Sequence, residues 1–186
     1  MKNFIITILF LFISSNCYSA DPQKINYSID GIKIGDSLKK LYSKSEIKAF
    51  ERQDIKDGKY YLLARLPSAA MANAFSVIQF AVKEGDPDMF VYAVAAIRIH
   101  QNDLKGCLNS KKSLINNVIK KDFKYVKVVD EEQPHPTHKG KTFQSEFLLD
   151  YGNIVRVYCA DFESNDMTDH MRFEILNKDY NNWYNR

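Results

Sequence analysis

His135 and His138 stand three residues apart beside Asp130, Glu131 and Glu132. Two imidazoles and a carboxylate are a donor set for a divalent metal that activates water for hydrolysis. Pro134 and Pro136 flank His135 and exclude the regular helix that would place both rings on one side, so residues 130–141 read as a solvated polar loop. His100 closes an apolar run and reads as a satisfied structural histidine, whereas His170 opens one and reads as facing water. Ser37-Leu38-Lys39-Lys40 matches the Ser-x-x-Lys pattern, in which a helical turn brings an amine to a nucleophile. Its companion motifs are absent, and Ser37 is better explained as a helix cap. No Gly-x-Ser-x-Gly and no glycine-rich phosphate loop occurs, so the sequence assigns no catalytic, metal or cofactor residue.

Two further groups have the chemistry of recognition. Arg156, Tyr158 and Arg172, with Glu146 and Glu174, share one face of the last strands; such charges ordinarily mark a solvated sheet with modest pairing, and alternatively a polar platform for a partner protein. The C-terminal run 180–186 holds Trp183, the only tryptophan, and Tyr184. It reads first as a segment folded back over a sheet edge and second as a binding anchor.

The elements that position these groups follow from patterning. Ile32 and Ile34 alternate around Lys33, and a short or broken helix starts after Ser37 on the face of Leu38, Leu41 and Tyr42. Asp57-Gly58 predicts a type I′ turn between strands near 50–56 and 59–66. Residues 74–82 and 89–99 are apolar on both alternating faces and predict a central hairpin covered on two sides. Asn102 or Asp103 caps the most secure helix, whose apolar stripe is Leu104, Cys107, Leu108, Leu114, Ile115, Val118 and Ile119, with lysines opposite or at its rim. A weak strand at 123–129 follows. A three-residue loop at 151–153 would then pair Phe147 with Val157 and Leu149 with Val155, and would point Cys159 inward. Met171, Phe173 and Ile175 supply a last strand. The class is α+β, an antiparallel sheet with helices on one face, in two helix-plus-four-strand halves at about 32–101 and 102–178.

Residues 1–19 read as a secretory signal: Lys2 precedes a ten-residue apolar run, Phe4 to Ile13, too short to span a bilayer. Cleavage after Ser19 is preferred over lipid modification of Cys17, because Ser14 and Asn16 do not suit that processing. The single domain 20–186 is then periplasmic or secreted, without membrane insertion. Cys107 and Cys159 remain as one disulfide. It would close a loop for which the chain-entropy model gives roughly 4 kcal/mol. Of 186 residues 45% are hydrophobic and 26% charged, and a net charge of +3 is too small to argue for nucleic acid or an anionic membrane.

These features point to a non-enzymatic exported binding protein, an inhibitor or immunity-type protein with an envelope or secreted protein partner. Only at the level of repeated helix-plus-sheet halves, the architecture is similar to that of exported enzyme-inhibitory proteins; no residue motif is shared. The alternatives are a small periplasmic metal-dependent hydrolase using His135 and His138, and a small-molecule carrier with an apolar cavity between helix and sheet.

Overall fold

The computed structural model describes residues 27–135, 138–164 and 167–186. The proposed signal, residues 1–19, lies outside the described residues. Strands β1 (Ser28–Ile29) and β2 (Ile32–Lys33) form a small hairpin. Its turn is Asp30-Gly31, with φ of 53° and 80°. This is the two-residue turn that sequence patterning assigns to the other Asp-Gly pair. At Asp57-Gly58 the loop instead has four residues, Lys56 to Lys59, and positive φ falls on Lys56 and Gly58. Asp57 is held otherwise: its carboxylate accepts from the Lys59 amide at 3.1 Å and from the Trp183 indole.

Helix α1 (Leu38–Leu41) is a single turn, and α2 (Lys44–Ala49) restarts after it with a true capping box between Ser43 and Glu46. Ser37 occupies the cap position of α1, but its hydroxyl donates to the Asp88 carbonyl at 2.7 Å and makes no cap. The first half continues as a meander, β3 (Glu51–Ile55), β4 (Tyr60–Arg65), β5 (Val77–Lys83) and β6 (Val91–Ile99). Asp103 caps α3 (Leu104–Leu114) through a 2.8 Å bond from the Gly106 amide. A π turn over Ile115–Ile119 and a last turn α4 (Lys120–Asp122) extend it. The second meander is β7 (Lys127–Pro134), β8 (Gly140–Leu148), β9 (Ile154–Phe162) and β10 (His170–Leu176), followed by α5 (Lys178–Tyr184).

The two meanders join through their last strands into one antiparallel eight-stranded sheet, ordered β3-β4-β5-β6-β10-β9-β8-β7. The class is thus α+β. One face carries the main core, where Leu38, Phe80, Val94, Cys107, Ile119, Phe147, Val157 and Ile175 are buried beneath α1 to α3. The Cys107–Cys159 disulfide, with Cα atoms 6.0 Å apart, fastens α3 to β9 within it. The β5–β6 hairpin buries residues of both faces, such as Phe80 and Ala81, and Val94 and Ala95. Leu108, assigned to the buried stripe of α3, is 36% exposed, because Cys107 points at the sheet and its neighbour lies about 100° further round the axis.

Residues 130–134 belong to a strand where a loop is expected. β7 pairs with β8 from Lys127 to Pro134, but it is an edge strand exposed on both sides, so it carries no apolar alternation to read. The β8–β9 register also differs by two residues from the expected one: Phe147 faces Val155, and Glu146 faces Arg156. Which residues share a face is unchanged, since the shift is even. Leu149 leaves the ladder, and its amide donates to the Asn153 carbonyl at 2.8 Å across a five-residue loop with Tyr151 and Gly152 at positive φ.

Candidate functional site

The face of the sheet opposite α3 holds the polar groups. Register sets them in rows: Glu146, Arg156 and Glu174 lie side by side on β8, β9 and β10, and the next row is Gln144, Tyr158 and Arg172. Ala81, Ala93 and Ala95 on the same face of β5 and β6 leave depth in the middle of the sheet. α5 packs at one end of that depression, with Tyr180 and Trp183 against Tyr60, Ala81, Ala93, Ile154 and Leu176. The ring centroids of Trp183 and Tyr60 are 4.8 Å apart. Lys56, from the β3–β4 loop, bonds the Tyr184 carbonyl and so holds the helix from above.

These charges are not the solvated pairs expected from alternation alone. Arg156 and Glu174 are 7% and 5% exposed. Arg156 donates to Glu146 at 2.6 Å, to Glu174 at 3.2 Å and to Asn181 of α5 at 3.1 Å. Arg172 donates to Glu174 at 2.6 Å and to Gln79 at 2.6 Å. Two guanidiniums and two carboxylates therefore neutralise one another in a connected buried network. Burial opposes the charge on each arginine, yet the Glu174 carboxylate, with Glu146 at Arg156, outweighs it and holds both guanidiniums above their ordinary value. The burial is supplied by α5, which the aromatic C-terminal run forms. Trp183 is itself 7% exposed and spends its indole N–H on Asp57, so as a partner anchor only Tyr184 retains surface.

Three of the four histidines, His135, His138 and His170, gather at the other end. His135 and His138 have ring centroids 5.3 Å apart, and the Phe162 ring lies tilted against His135 at 4.7 Å and edge-on to His138 at 5.9 Å. His170 packs at 5.9 Å from Phe162 and 6.1 Å from Tyr158, and bonds the Thr168 carbonyl through Nδ1; it does not simply face water. Burial, then the nearby His138 and His170, pulls the His135 imidazole below its ordinary value. Burial lowers His170 too, with Arg172 adding to the effect. The acids adjacent in sequence do not join them: Glu132 pairs with Lys141, Asp130 bonds Ser145 on the opposite face, and Glu131 accepts from Gln144. Among the described residues no group of three His, Cys, Asp or Glu side chains is placed to hold a metal ion. His100 differs from its expected satisfied state: its Nε2 is buried without a hydrogen-bond partner among the described residues.

Two adjoining cavities of about 600 and 390 Å³ occupy this face, and Lys56, His135, Arg156, Tyr158, Glu174 and Tyr184 line both. Burial raises the Tyr158 phenol far above its ordinary value, so it stays a neutral donor in the trough. The arrangement offers fixed donors, acceptors and aromatic faces to a polar guest. Compared with known proteins, the chain matches no family model, no curated protein and no solved structure. No helix among the described residues is long and apolar enough to cross a membrane, which leaves β-barrels unaddressed.

Proposed function

We propose that the chain is an exported, non-enzymatic binding protein, periplasmic or secreted, that receives a protruding polar segment of a partner protein on its concave sheet face, as an inhibitor or immunity-type protein would. The observation that carries the reading is the trough itself, floored by the neutral Glu146–Arg156–Glu174–Arg172 network and walled by α5. Such a network is stiff and satisfied, so a guest meets preorganised groups instead of flexible surface charges. The disulfide supports export, because such bonds persist in oxidising compartments. The carrier alternative asks for an apolar cavity between helix and sheet; the clefts of about 290 and 420 Å³ beside α3 are edged by lysines or by Arg98 and amide and hydroxyl side chains, and the 600 Å³ cavity opens on the other face and mixes charged and amide side chains with His135, Tyr158 and Tyr184.

A photo-crosslinker placed at Tyr184, at the trough rim, and at Lys39, on α1, tests the proposal in envelope extract. A stoichiometric protein adduct from position 184 and none from position 39 is expected. Equal labelling from both positions, or no protein adduct at all, refutes it. Zinc titration of wild type against the double variant His135→Asn, His138→Asn tests the hydrolase alternative, which requires binding that the variant loses.

A further inference from the structure

The chain's near-neutral total conceals a segregated charge. Residues 104–121, the span of α3, the π turn and the start of α4, contain five lysines and no acid, so their charge exceeds the net +3 of the whole chain and everything else is net negative. Among the described residues Lys105, Lys112 and Lys120 have no ion-pair partner. All three are exposed.

The π turn aligns them. Eight residues of regular α-helix would put Lys120 about 80° round the axis from Lys112. An i→i+5 turn absorbs one extra residue, so the separation falls to roughly 20° and Lys105, Lys112 and Lys120 form one stripe. Beside the stripe, between the helix and β8, lies a groove of about 290 Å³ where half-buried Lys111, with the Asp130 carboxylate nearby on β7, and exposed Lys112 and Lys120 meet Leu108 and Ile115. Lysine stems and these two side chains give the groove an apolar floor beneath an ammonium rim. Leu108 is 36% exposed, and Val128, on the same side of edge strand β7, is 40% exposed.

We propose that this helix face is a peripheral docking surface for membranes bearing anionic phospholipid, with a headgroup phosphate seated among Lys111, Lys112 and Lys120. Charge complementarity selects an anionic partner, and apolar side chains interleaved with the ammoniums favour a lipid interface over a nucleic acid, whose backbone asks for cations alone. The surface lies on the opposite side of the sheet from the trough, so membrane attachment leaves that face open.

Co-sedimentation of the mature chain with phosphatidylcholine vesicles, with and without phosphatidylglycerol, tests this. Binding to the anionic vesicles alone is expected, weakened by salt. Because each lysine near such a surface contributes about fivefold, the triple variant Lys111→Gln, Lys112→Gln, Lys120→Gln should bind about 100-fold more weakly, and Lys112→Gln alone about fivefold. The control Lys39→Gln, Lys40→Gln, Lys44→Gln removes the same charge elsewhere and should bind nearly as wild type; circular dichroism verifies that each variant is folded. Failure to bind anionic vesicles, equal binding to neutral ones, equal loss in the control, or retention on DNA without vesicle binding overturns the proposal.

Discussion

Glu174→Gln isolates the buried network, because that single carboxylate bridges two guanidiniums. Its side chain is 7% exposed, and those of its partners Arg156 and Arg172 are 8% and 15% exposed. Removing the charge leaves Arg156 with Glu146 and Arg172 with the neutral Gln79, so two buried cations share one remaining acid. Breaking a buried pair in this way costs about 3–5 kcal/mol, most of it the uncompensated charge left behind. For a domain of this size each kcal/mol moves the melting temperature by about 2–4 °C, which gives a fall of about 6–20 °C. Urea unfolding followed by circular dichroism reads the same quantity as a shift of midpoint at unchanged slope. Combining Glu174→Gln with Arg172→Met should recover part of the loss, with a coupling of about 0.5–3 kcal/mol. A change below about 1 kcal/mol, the size seen for exposed pairs, would show that the network is solvated and refute the argument that α5 buries it.

Three other outcomes are expected. Cys159→Ser should lower stability by about 2–5 kcal/mol, and wild type should show no reactive thiol in the mature chain before reduction; labelling of Cys107 under native conditions would overturn the pairing. Trp183→Ala removes packing on Tyr60 and Tyr180 together with the Asp57 bond, so unfolding should become about 3–5 kcal/mol easier; an unchanged melting temperature with lost partner capture would return Trp183 to the role of anchor. Burial foremost holds His135, His170 and His100 below their ordinary value of 6.5, so the unfolded chain takes up protons first as pH falls, and stability, complete above about pH 6.5, should decline below it. The double variant His135→Asn, His170→Asn should flatten that decline in urea midpoints measured between neutral and acid pH.

Local pattern made much of this molecule legible. The Asp103 cap, the buried β5–β6 hairpin and the inward direction of Cys107 and Cys159 all follow from side-chain periods within a few residues, and such periods state which groups share a face. They do not state what covers that face. Glu146, Arg156, Arg172 and Glu174 fall on one surface by alternation alone, but only α5, returning from the far end of the chain onto the alanines of β5 and β6, turns that surface from a solvated sheet into a buried network beside a trough. The β8–β9 register shifted for a similar reason: an even slip preserves the faces, and the choice between slips rests on Glu146 meeting Arg156, with Glu174 on its other side, a contact that spans three strands. Only the start of β7 is legible, as the end of the weak strand expected at 123–129; its continuation to Pro134 reads as loop because an edge strand exposed on both sides needs no apolar alternation. The sequence therefore determined most elements and their inward faces, while long-range packing decided which polar face became a site.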